Sequence, residues 1–172
     1  MKSHRLQLTL GGLFAASIAL STIHPLGDPR AGAQSAAIFQ GADLPPRVRA
    51  ELESKCGDCH SQNTRYPLYS HFAPVTWIID RDVREGRHSL DFSRWQSYTP
   101  DERINALTRM ASQVHAGQMP PRMYVLLHPP AHLSQQEQIF IYDWAKSERK
   151  RLRSHLSSAS DQASAASRPP QP

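Results

Sequence analysis

Two cysteines in 172 residues are too few for a disulfide framework, and a bond between residues three apart closes too small a loop to contribute much stability. With no third cysteine, a four-coordinate structural zinc site would have to draw on histidines, and His128 with His132 is the only later pair at a workable spacing. The cysteines are not preceded by a strand pattern or followed by a βαβ pattern, so the context of a thioredoxin-type dithiol is missing. Charge of one sign is scarce as well. The formal net charge is +5; residues 1–33 hold three of the twenty basic and one of the fifteen acidic residues, so setting them aside leaves +3. Fourteen prolines and a mean hydropathy of -0.54 point to a modest core with many loops.

Long apolar runs are limited to one. Leu6 to Ile23 is uncharged and largely apolar, Lys2 and Arg5 precede it, and Ala31-Gly32-Ala33 offers a small-x-small site. These are the three parts of an export signal. The run is also near the minimum length for crossing a bilayer, so an uncleaved membrane anchor is the alternative. Both versions place the rest of the chain outside the cytoplasmic membrane.

What the chain does contain is Cys56-Gly57-Asp58-Cys59-His60, the spacing that attaches c-type haem. Residues three apart on a helical turn project from one face, so each thiol can form a thioether with one haem vinyl group. His60 follows on the same turn as proximal iron ligand. The motif commits both cysteines, and it agrees with the export signal, since this attachment takes place outside the cytoplasmic membrane in bacteria.

Residues 34–44 read as a linker. Pro45-Pro46 then sets up a helix with Val48, Leu52 and Cys56 at intervals of four, which delivers the motif. Tyr66, Pro67, Tyr69 and Phe72 follow in an aromatic loop. Pro74 opens a helix with Val75, Ile78, Ile79 and Val83 on its apolar face and Gly86 as its expected stop. Residues 87–98 read as a loop anchored by Phe92 and Trp95. Thr99-Pro100-Asp101-Glu102 is a capping box, and the helix it starts carries Ile104, Leu107, Met110, Ala111 and Val114 until Gly117. The last helix starts at Ser134 with Glu137 three residues on; Phe140 and Trp144 share a face that suits packing on the helix before the motif. The basic run of Lys146, Arg149, Lys150, Arg151 and Arg153 reads as complementing the end of that helix rather than as a nucleic-acid surface. Residues 154–172, rich in Ser, Ala, Gln and Pro, read as a disordered tail.

Met119, in Gly117-Gln118-Met119-Pro120-Pro121, stands 59 residues after His60 in a stretch stiffened by two prolines. A thioether sulfur there suits a sixth iron ligand, and a methionine there also suits filling a core gap. Met123 is the nearest rival sulfur, Met110 belongs to a helix stripe, and His115, His128, His71 and His88 are the histidine alternatives.

In their order, Cys56 to Ser61, Tyr66-Pro67, Ala73 to Trp77, Glu85-Gly86-Arg87, Asp91 to Trp95, Met119-Pro120-Pro121, Leu127-His128-Pro129, Leu133-Ser134 and Asp143-Trp144-Ala145 resemble the small bacterial haem-binding-domain proteins, exported single-haem c-type cytochromes related to class I cytochrome c. The resemblance covers about residues 45–148 and implies an all-α, cytochrome c-like domain (45–153) wrapped around one haem c. It implies Cys56 and Cys59 for attachment, and His60 and Met119 as iron ligands. The basic run and tail extend past the family's usual end. The expected function is periplasmic electron transfer with an unidentified redox partner protein and no nucleic acid, Lys55 and Arg65 lying near the exchange edge. The rivals are a small peroxidase-like enzyme with His115 as distal base, and a sensor in which a gas displaces Met119. Both require an open or displaceable sixth position.

Overall fold

The computed structural model describes residues 2–25, 27–30 and 37–166. The fold is all-α, with no strand among the described residues. Its helices are α1 (Lys2–Leu20), α2 (Pro46–Lys55), α3 (Gly57–His60), α4 (Val75–Ser89), α5 (Pro100–His115), α6 (Arg122–Leu127) and α7 (Gln135–Ala166), with short 3-10 turns at Leu68–His71, Phe92–Ser97 and Pro129–Ala131. They form two compact units, one of Met1–Ala36 with Gly57–Asp91 and the other of Ala37–Cys56 with Phe92–Pro172. The chain passes from the first to the second at Ala36–Ala37, back at Cys56–Gly57, inside the cysteine motif, and across again at Asp91–Phe92.

The unit that contains α2, α5 and α7 has an aromatic centre. The Phe39 ring centroid lies 4.6 Å from Phe92, 4.8 Å from Trp95 and 5.3 Å from Trp144, and offset or edge-on aromatic pairs stabilise beyond their buried area. The segment read as a linker therefore supplies Ile38 and Phe39 to the core, both almost fully buried. Phe39 adopts φ 47°, a left-handed conformation that costs a bulky residue about 1–2 kcal/mol. Burial of its ring offsets that cost, and its N–H donates to the Phe92 carbonyl at 2.9 Å.

Helix α5 starts where the capping box places it. Thr99 Oγ1 accepts from the Glu102 N–H and Glu102 accepts from the Thr99 N–H. Ile104, Leu107, Ala111 and Val114 are its buried stripe, and α5 packs on α7. Ser134 and Glu137 close the equivalent box at the start of α7. On α7, Ile141, Trp144 and Ala145 are buried, Trp144 Nε1–H donates to the Asp43 carbonyl at 2.8 Å, and Arg47 of α2 stacks over Phe140 at 3.9 Å.

Three expectations are corrected. Where residues 154–172 were expected to be a disordered tail, helix α7 continues past Arg153 to Ala166, helped by alanines, which have the highest helix propensity; residues 167–172 lie outside the described residues. The basic run is consequently mid-helix and complements no helix end; Arg151 grips the buried Glu148 with both nitrogens of one guanidinium edge, and Arg149 reaches Thr108 Oγ1 at 3.1 Å. On α4 the buried residues are Thr76, Asp80 and Val83, while Val75 and Ile78 face solvent and the helix runs through Gly86 to Ser89.

No helix among the described residues is long and apolar enough to cross a membrane. The small-x-small site at residues 31–33 and the start of the expected linker at 34–36 lie outside the described residues.

Candidate haem site

Helix α2 opens with Pro46 in its first turn and buries Val48 and Leu52 at an interval of four, so Cys56 follows on the same stripe. The Cys56 N–H donates to the Leu52 carbonyl at 3.1 Å. Lys55, one residue earlier, is not available for docking: its Nζ contacts Glu137 at 2.8 Å, Glu51 at 3.1 Å and the His132 carbonyl at 3.0 Å. This latch fixes the end of α2 to the start of α7. The Lys55 ammonium and the Ser134 N–H hold the Glu137 carboxyl down at about 2. A depressed carboxyl stabilises the fold above its ordinary range near 4.5 and loses that contribution as pH falls toward about 2. Arg65, the other expected docking cation, pairs with Asp58 at 3.1 Å and keeps 68 % of its side chain exposed.

In the other unit, α3 is a single turn, too short to persist by itself. Its support comes from outside the helix. Ser61 Oγ–H donates to the Gly57 carbonyl at 2.7 Å and Thr64 Oγ1–H to the Asp58 carbonyl at 2.6 Å. Arg87 of α4 donates from Nε to the Ser61 carbonyl and from Nη2 to Thr64 Oγ1, each at 2.9 Å. His60 Nδ1 lies 3.0 Å from the Leu90 carbonyl. A carbonyl only accepts, so Nδ1 carries the proton and, in the neutral ring, the lone pair is on Nε2. Burial lowers the His60 pKa, against opposing hydrogen bonds to Leu90 and Gly86 and the charge of Asp91. A neutral imidazole with its second nitrogen donating to a carbonyl is the state in which histidine ligates metals.

Cys59 is pushed up to about 11 by burial first and then by the Asp82 and Asp58 carboxylates. Reactive dithiols have lowered pKa values, so this thiol has the opposite character. No group of three or more metal-ligating side chains gathers on either cysteine among the described residues.

Gly86 explains why α3 and α4 can pack so closely. A Cβ on Gly86 would lie 2.5 Å from the Cys59 carbonyl oxygen and 3.0 Å from Cys59 Cβ. The opposing atoms are backbone, which cannot rotate away. Alanine gains about 1 kcal/mol over glycine in a helix interior, but forcing a methyl into a packed contact costs about 1–3 kcal/mol, occasionally more. The clash wins: Gly86→Ala is expected to lower the unfolding midpoint in a thermal melt, where helix propensity alone would raise it. Sequence reading missed both roles on α4. The sequence reading takes Gly86 as a helix stop and Arg87 only as part of the Glu85-Gly86-Arg87 segment of the resemblance, which names the residues without their contacts.

Met119 belongs to the unit of α2, α5 and α7, after Gly117 at φ 64° has ended α5, and is partly buried. Met123, on the short α6 that the sequence did not predict, is 68 % exposed. His115 is exposed with its ring 5.2 Å from Tyr142, His128 Nδ1 contacts the Tyr124 carbonyl at 3.0 Å, and His71 and His88 are exposed.

The haem-binding domain model matches residues 16–147, more than half of the chain. The chain belongs to the haem-binding domain family. No curated protein and no solved structure matches it. Haem is therefore the cofactor of this haem-binding-domain protein, and its residues fit the group: two thiols at the attachment spacing, then a neutral imidazole oriented by a backbone carbonyl.

Proposed function

We propose that this haem-binding-domain protein carries one haem c, bonded to Cys56 and Cys59 and ligated by His60 and Met119, and that it is an exported, periplasmic electron-transfer cytochrome. The observation that carries the reading is the Leu90 carbonyl on His60 Nδ1, one residue after the second motif cysteine. It sets the tautomer and the ring plane before any iron arrives. The haem, when bound, supplies one-electron chemistry; the chain supplies attachment, orientation and axial donors.

Cys56 and Cys59 make loss of the cofactor impossible without breaking a covalent bond. The Leu90 carbonyl makes His60 a better electron donor by drawing on its Nδ1–H. Met119 contributes a neutral sulfur, which favours the reduced iron and raises the potential. Its partial burial, against the exposure of Met123, supports it as the sixth ligand. Lys55 is held by two carboxylates with little of its side chain exposed, whereas Arg65, paired with Asp58, keeps 68 % of its side chain exposed and is the cation near the motif that would meet an acidic redox partner, through a weak and salt-sensitive contact.

The protein purified from haem-ligating bacteria is expected to weigh one haem more than its polypeptide after denaturation, and its reduced spectrum is expected to ignore carbon monoxide. A polypeptide-only mass would overturn covalent attachment. A rapid spectral change with carbon monoxide would replace the carrier by a ligand-binding sensor or a peroxidase-like enzyme.

A further inference from the structure

The first thirty residues divide into two parts. On α1 the seven large apolar side chains from Leu6 to Leu20 are 43 to 68 % exposed, while Ser17 Oγ–H donates to the Ala73 carbonyl at 2.6 Å, the Ala73 N–H donates to Ser21 Oγ at 2.9 Å and Phe14 lies 6.0 Å from Phe72. The residues that follow are held by charged groups as well. Trp77 Nε1–H donates to the Ile23 carbonyl at 2.7 Å. Asp80 of α4, 2 % exposed, has one carboxylate oxygen 2.6 Å from His24 Nδ1 and the other 2.9 Å from Arg30 Nη1. Arg30 also donates from Nη2 to the Ser70 carbonyl at 3.1 Å and stacks over Tyr66 at 4.1 Å. Arg87, which holds the Ser61 carbonyl and Thr64 next to the haem motif, uses Nη1 to reach the Pro29 carbonyl at 2.6 Å.

A cut after Ala33 would remove all of these partners at once. Asp80 would lose both of its ion-pair partners, and Trp77 Nε1 and Arg87 Nη1 their carbonyl acceptors. Asp28 lies with His24 and Asp80 within 4.8 Å, but both Asp80 oxygens are already taken by His24 and Arg30, so the cluster is an ion-pair knot rather than a cation site.

We propose that residues 22–30 are a permanent strap of the mature protein and that the export signal ends at Ser21. Ala19-Leu20-Ser21 is itself a small-x-small sequence, near the end of the apolar run. A membrane signal peptidase adds water across the Ser21–Thr22 bond, leaving a carboxylate on Ser21 and an ammonium on Thr22. The family match begins at residue 16 and so includes the strap. The inference rests on the proposed export but not on haem ligation.

The test uses the full chain expressed in haem-ligating bacteria, with N-terminal sequencing and intact mass of the product. The expected first residue is Thr22. Gln34 as first residue overturns the strap. An uncut chain overturns the assigned bond, and its location separates two failures: haem-bearing and exported, only the bond is wrong; haem-free in the cytoplasm, export fails with it. Arg30→Gln in the same chain supplies a second readout. It is expected to lower the melting temperature of the mature protein by about 5 °C, with part of the loss recovered when Asp80→Asn is added. No change on substituting Arg30 would mean that residue 30 is absent from the mature protein or idle in it, and either result removes the strap.

Discussion

Replacing Cys56 and Cys59 together by alanine is expected to abolish haem staining on a denaturing gel and to reduce the mass of the purified protein to that of the polypeptide. Each single replacement leaves one thioether and a weakened stain, so the series separates two bonds from one. A dithiol switch or a zinc site at the same cysteines would show no haem stain in the parent either. The Cys59 thiol is pushed up to about 11 by burial and by nearby carboxylates, whereas a dithiol nucleophile has its pKa lowered. The double variant keeps His60 and its Leu90 contact. Any haem that survives native purification is then held by coordination alone and is extracted by acid and organic solvent.

Met119→Ala is the second large effect. Loss of the sulfur is expected to remove the weak long-wavelength sulfur-to-iron absorption band and to convert a six-coordinate iron into one that takes carbon monoxide when reduced. Met123→Ala, at a side chain 68 % exposed, is expected to leave both properties unchanged. The comparison carries the argument, because methionine also fills cavities, and a stability loss shared by both variants would say nothing about the iron. An unchanged spectrum in Met119→Ala removes Met119 from the axial position.

Both experiments address residues that could be named from sequence, and the reason is that their signals are local. The motif is five consecutive residues, and the capping boxes at Thr99 and Ser134 are fixed four-residue patterns. The buried stripe of α5 followed from helical spacing alone. What escaped was non-local. Phe39 lies in a stretch of small and polar residues, and its place among Phe92, Trp95 and Trp144 depends on segments distant in the chain. Asp80 interrupts an apolar face and is buried only because His24 and Arg30 reach it from a part of the chain read as leader. Gly86 looked like a helix stop, since its other use, close approach to the turn of Cys59, is visible only once both helices are placed. Lys55 looked like a surface cation until Glu137, far along the chain, proved to hold it.

Helix α7 changes character along its length. Up to Leu152 it is held by burial, as Ile141, Trp144, Ala145 and Leu152 are in the core; beyond Arg153 the described side chains, through Gln162, are exposed. At a rise of about 1.5 Å per residue, the fourteen residues from Arg153 to Ala166 form a rod of roughly 20 Å governed by helix–coil equilibrium instead of by tertiary cooperativity. Amides there are expected to exchange with solvent deuterium on the timescale of local fraying, and those around Ile141 only on global opening. A single free energy assigned to this helix would average two regimes that share a backbone and little else.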